Sequence, residues 1–153
     1  MSTTRLVRRI DASRAHVYRA LLDPEAVQTW MVPEGMTSQI HTFDAREGGE
    51  FRISLTYDAP TDTGKTTAQT DTFHGRFLRL VADAEVVQSV EFETDDARMR
   101  GTMTISYTLD DDDGGTRLVG VHEDLPPGVS PEANELGWSM SLDKLAALVE
   151  RGS

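Results

Sequence analysis

From Phe51 to Tyr57 the chain alternates: Phe51, Ile53, Leu55 and Tyr57 are apolar or aromatic, and Arg52, Ser54 and Thr56 between them are polar. A period of two predicts a strand with one buried face. Similar segments at 4–10, 38–43, 69–81, 85–94, 99–109 and 116–123 predict further strands. Gly48-Gly49 and the run from Asp110 to Gly115 mark turns between them. A polar stretch from Asp58 to about Ala68 reads as a loop. The period changes in two places. After Ser13, a capping residue, Val17, Ala20 and Leu21 share one side of a short helix; Asp23-Pro24 then starts a second, ending near Trp30 because Pro33 disfavours helix before it. Near the C-terminus Trp138, Leu142, Leu145 and Val149 recur in steps of four, three and four, one face of a long helix. Ser130-Pro131-Glu132 supplies a hydroxyl cap, a first-turn proline and an acid at the positive end of the dipole. Gly137 inside this helix costs roughly 1 kcal/mol against alanine. It either packs against a bulky neighbour or borders a cavity.

The order is strand, two short helices, six strands and a long helix. Short connections imply antiparallel pairing. A sheet with one apolar face needs a cover, and the C-terminal helix is the one element long enough. One helix rarely fills the hollow of a curved sheet, so an internal pocket is expected. Without a repeat or a long linker, residues 1–153 read as one α+β domain.

Inward parity selects the expected cavity lining. It comprises Trp30; Phe51, Ile53, Leu55 and Tyr57; Phe77; Gln88, Val90 and Phe92; Met103, Ile105 and Tyr107; and Trp138 and Leu142. Among polar groups, Tyr57, Tyr107, Gln88 and Arg52 are the ones expected to reach such a pocket. Buried tyrosine hydroxyls seek partners, whether ligand, water or backbone.

Charge narrows the partners. Acidic side chains number 26 against 15 basic, for a net charge of −11. That disfavours nucleic acid and anionic membrane surfaces. There is no cysteine, which excludes disulfides and thiolate chemistry and fits the cytoplasm. No apolar run is long enough for a membrane helix, and the basic N-terminus lacks the apolar core of a secretory signal.

Motifs add little chemistry. Gly64-Lys65-Thr66 lacks the glycine a phosphate loop needs, since position 59 is Ala59, and no helix follows it. Counted as an EF-hand from Asp110, positions five and twelve fall on Gly114 and Val121, so the acidic run reads as a solvated hairpin tip. His16, His41, His74 and His122 make no metal pair at helical spacing. His41 and His74, on different strands, are candidates for an acid/base or metal pair with Asp71 or Glu50. His122-Glu123 reads as a hydrogen-bonded anchor for the proline loop that follows. No G-x-S-x-G nucleophile elbow occurs. No cofactor or resident metal is implied, and no catalytic residue is identified.

Ile10 to Trp30, Phe43 to Arg52, His74 to Phe77, Gly114 to Gly128 and the Gly137-Trp138 helix, in this order and spacing, resemble the START/Bet v 1-like (SRPBCC, helix-grip) superfamily. Within it the chain is most similar to bacterial proteins of the Hsp90 ATPase activator homologue and calicheamicin self-resistance type. The resemblance implies a seven-stranded antiparallel sheet gripping a long helix around a hydrophobic cavity, and no shared catalytic set. The first expectation is a protein that binds a hydrophobic small molecule. A polyketide-cyclase-like or hydrolytic enzyme using the same cavity is the second, and an Hsp90-activator-like interaction or stress module the third. A homodimer, by edge-strand or 58–68 loop pairing, stays open.

Overall fold

The computed structural model describes residues 2–31, 36–57 and 70–151. Strand β1 (Ser2–Ile10) leads into helices α1 (Arg14–Leu22) and α2 (Pro24–Trp30). Six strands follow: β2 (Met36–Phe43), β3 (Glu50–Tyr57), β4 (Thr70–Val81), β5 (Glu85–Phe92), β6 (Met103–Asp112) and β7 (Gly115–Leu125). Helix α3 (Pro131–Arg151) ends the fold. The strands make one antiparallel sheet in the order β1-β7-β6-β5-β4-β3-β2. Every pair except β1–β7 joins strands adjacent in sequence. The α1–α2 excursion lets β1 return beside the last strand.

The predicted caps are present. The Ser13 side chain accepts from His16 N–H (3.2 Å), Asp23 from Glu25 N–H (3.1 Å), and Ser130 Oγ from Ala133 N–H (3.3 Å). Two boundaries differ from the sequence pattern. Residues 93–102 are a loop rather than a β6 that begins at Met99. Asp96 takes over the local backbone, its carboxylate accepting from Arg98 N–H (2.9 Å) and its carbonyl from Met99 N–H (3.0 Å). Gly101, at φ 129°, breaks the extended run as well. At the acidic hairpin the strands run further than expected. Asp112 pairs with Gly115 across a two-residue turn, Asp113-Gly114, with φ values of 47° and 82°, the positive pair such hairpins use. Arg9 donates to the carbonyls of Asp112 and Asp113, and Arg14 pairs with Asp111 at 3.0 Å, so this acidic run is anchored by cations.

Helix α3 divides the interior. Its C-terminal half (Leu145, Ala146, Val149) is buried in the same core as Val17, Leu21 and Val27 of α1 and α2. Glu150 accepts from Asp11 N–H (2.8 Å), and Asp143 pairs with Arg8 of β1. That end of the sheet is solidly filled. Among the described residues the N-terminal half of α3 has no second helix beneath it, and there the interior opens.

Candidate functional site

The opening is a cavity of about 500 Å³ between the sheet and the first half of α3. Its sheet side carries Phe51 and Leu55 of β3, Phe73 of β4, Val90 and Phe92 of β5, and Met103, Ile105 and Tyr107 of β6. Ala133, Asn134, Gly137, Trp138 and Ser141 of α3 form the other side, so Gly137 does border the cavity. The loops at 93–102 and 126–130 supply a rim of Asp96, Met99, Gly128, Val129 and Ser130. Gly128 N–H donates to the Arg98 carbonyl at 2.6 Å, which clasps the two loops. A Cβ on Gly128 would stand 2.6 Å from the Met99 sulfur. At the end of α2, Met31 also lines the cavity; the segments 32–35 and 58–69 lie outside the described residues.

The expected lining divides into three sets. Phe51, Leu55, Gln88, Val90, Phe92, Met103, Ile105, Tyr107 and Trp138 lie on the cavity. Trp30, Ile53, Phe77 and Leu142 do not line it; they are buried in the filled core instead. Trp30 turns its indole N–H to the Ala20 carbonyl (2.9 Å) and stands edge-on behind Tyr107, with ring centroids 6.3 Å apart. Phe77 packs among Phe43 and Phe51. Parity names the face of a strand but not the distance along it at which packing gives way to space. The Tyr57 side chain lies outside the described set.

The histidine pair proposed from sequence is not assembled. His41 is the extra residue of a bulge in β2 and reaches Ser54 Oγ (2.8 Å). His74 contacts Glu93 (3.0 Å) on the outer face, in register with Arg52. Glu50 pairs with Arg76 (2.6 Å). Asp71 is buried on the cavity side, opposite Leu55, and so faces away from both histidines. Arg52 also faces outward, forking onto Glu93 at 2.8 and 2.9 Å. That hydrogen bond, with help from His74, holds the Glu93 carboxyl below its usual range. These groups border a second, polar hollow of about 480 Å³ on the outer face. Among the described residues no group of three or more His, Asp or Glu could hold a metal, and no helix is long and apolar enough to cross a membrane.

The histidine that does reach the cavity is His122. It shares inward parity on β7 with Leu118 and Gly120, a signal present in the sequence beside its place before the proline loop. Its ring lies against the Trp138 indole, with centroids 4.7 Å apart. Asn134 Nδ2 donates to His122 Nδ1 (2.9 Å) and to Thr4 Oγ1 (3.3 Å), tying α3 to β7 and β1. An amide nitrogen only donates, so Nδ1 is the acceptor and the ring proton sits on Nε2, a buried donor with no partner among the described residues. Burial pushes the His122 pKa down to about 4, so the ring is neutral at physiological pH. Trp138 N–H donates to the Tyr107 hydroxyl (3.4 Å), and burial pushes that phenol up to about 12. Gly120 lies beneath the indole: a Cβ there would be 2.7 Å from two atoms of the Trp138 ring.

A seven-stranded antiparallel sheet closed over a long C-terminal helix, with a hollow between them, is the helix-grip architecture of the Bet v 1/SRPBCC superfamily. Within it, the chain belongs to the family described as activator of Hsp90 ATPase homolog 1-like protein, whose model matches residues 11–150. A crystal structure of a Chromobacterium violaceum protein is similar at 38% identity and TM-score 0.87, over 97% of this chain and 96% of that one. A Rhodobacter sphaeroides protein, at 18% identity and TM-score 0.81 over 99% and 94% of the two chains, shares the fold. So does an AHSA1-like protein from Aeromonas hydrophila, at 19% identity and TM-score 0.71 over 99% and 94%. No match is found among curated proteins.

Proposed function

We propose that this protein binds an apolar small molecule in the cavity under the first half of α3. The observation that carries the reading is the composition of the wall: aromatic and aliphatic side chains throughout, with a few polar groups set among them, the usual make-up of a small-molecule site. Burying about 300 Å² of ligand surface is worth roughly 7 kcal/mol before the cost of immobilising the ligand. Acid/base catalysis in the same space has weaker support. The His122 ring is neutral, with its proton already on Nε2, and Tyr107 holds its proton to about 12, so neither group is poised near neutrality. Nor do the large exposed apolar side chains favour a docking role. Val7, Leu78, Val81 and Leu136 sit on three different elements, which is scatter rather than a patch.

Native mass spectrometry of freshly purified protein, followed by denaturing extraction, tests the proposal. A discrete adduct that is released on extraction is expected. If every apolar ligand class tested leaves both the native mass and the thermal stability unchanged, the proposal fails.

A further inference from the structure

Part of the hydrogen-bond donor capacity of the cavity wall is used within the protein and part is not. Trp138 N–H is used by the Tyr107 oxygen, and both N–H groups of Asn134 are used by His122 and Thr4. On the sheet side of the cavity three donors remain without an acceptor among the described residues: the Tyr107 hydroxyl proton, the Gln88 amide and His122 Nε2–H. All three side chains are more than nine-tenths buried and line the cavity. Two of them are diagonal neighbours on adjacent strands. Gln88 pairs with Ile105, and Tyr107 is two residues further along β6 on the same face. Diagonal neighbours of this kind stand about 7–8 Å apart, within common reach of long side chains and so of one ligand atom between them. His122 also pairs with Ile105, from the other side, so the donors occupy three successive strands.

Charge supplies the second constraint. Among the described residues the wall holds Asp71 and Asp96 and no lysine or arginine, in a chain of net charge −11. A carboxylate or phosphate brought here would lose its hydration without gaining a cation.

Resting on the cavity-binding reading above, we infer that the ligand is an uncharged, largely apolar molecule bearing an acceptor oxygen, of the ketone or quinone kind, and that this oxygen accepts hydrogen bonds from Tyr107 and Gln88. The apolar remainder lies against Phe51, Phe73, Phe92 and Trp138. Fatty acids and phospholipids are the wrong class, although the apolar wall alone would admit them.

Three probes of one shape test this: 2-acetylnaphthalene, 2-ethylnaphthalene and 2-naphthoate. The chain has two tryptophans, and their indole N–H resonances give a built-in control. Trp138 lines the cavity, whereas Trp30 is bonded to the Ala20 carbonyl inside the core. In titrations of the full chain at pH 7, the Trp138 resonance is expected to move and that of Trp30 to stay. The ketone should bind about two- to tenfold tighter than the more hydrophobic ethyl compound, the range of one net hydrogen bond, and the carboxylate should bind weakest. Tyr107→Phe and Gln88→Leu should each reduce the ketone's advantage while leaving 2-ethylnaphthalene nearly unchanged. The carbonyl carbon of ¹³C-labelled ketone, bound to the unmodified protein, should shift downfield, a readout independent of whether either variant folds. If the ethyl compound or the carboxylate binds as tightly as the ketone, this inference is overturned and cavity binding survives. If no probe moves Trp138, both fall together.

Discussion

Replacing Gly120 with alanine is a sharp test of how the cavity wall is built. Gly120 lies in β7 between Tyr107 on β6 and Leu6 on β1, and its φ is not among the positive values, so alanine fits the backbone. On that ground alone, Gly→Ala in a strand stabilises by about 0.4–1 kcal/mol. The added Cβ, however, would stand 2.7 Å from Cη2 and Cζ2 of Trp138. Those atoms belong to a rigid ring held by the Tyr107 hydroxyl and the His122 face, so the indole has to move as a whole. Overpacking of this kind costs about 1–3 kcal/mol, so the net expectation is a loss of about 1–2 kcal/mol. Urea denaturation followed by tryptophan fluorescence measures it, and the midpoint should fall with the slope unchanged. The decisive arm repeats Gly120→Ala in a Trp138→Leu background. With the indole gone the penalty should vanish, leaving the small backbone gain. An equal penalty in both backgrounds would refute the reasoning, because the clash would then lie elsewhere.

His122 titrates at about 4 in the folded chain against 6.5 in the unfolded one, so between these values the unfolded state binds more protons. The group's contribution is intact above pH 6.5 and is lost as pH falls toward 4, by about 3 kcal/mol across the window; urea midpoints at pH 7 and pH 5 should converge in His122→Phe relative to the parent. Gly128→Val should break the rim clasp, since its Cβ meets the Met99 sulfur and the Arg98 carbonyl; faster hydrogen exchange at the Gly128-position amide would report it, and unchanged protection would count against the clasp. Ser13→Ala removes the α1 cap and should cost about 1 kcal/mol, or about 2–4 °C in a thermal melt.

Much of the fold was written in local pattern. Alternation in Phe51–Tyr57 set the inward face of β3, the 138-142-145-149 spacing set the buried stripe of α3, and the capping residues fixed the starts of all three helices. These features depend on neighbours a few residues apart, which is why they can be read without a structure. Where strand turns to loop was less legible at residues 93–102, because Asp96 hydrogen-bonds the backbone in competition with the ladder.

The site was legible only by face. Parity placed Gln88, Ile105 and Tyr107 inward, and they line the cavity; it also placed Ile53 and Phe77 inward, where the core is solid. The difference arises because α1 and α2 sit under the C-terminal half of α3 and, among the described residues, no helix replaces them under the N-terminal half, a matter of where elements dock. His122 had the parity of a cavity residue, but its value comes from Asn134 and Trp138 on a helix twelve and sixteen residues further on. Most of the elements, their faces and their antiparallel pairing were legible in the sequence, because these follow from periodicity, capping and loop length. The tertiary structure alone decided where the sheet stays open, which donors are left without acceptors, and that Gly120 makes room for an indole. Those are properties of the space between elements, and no local pattern encodes them.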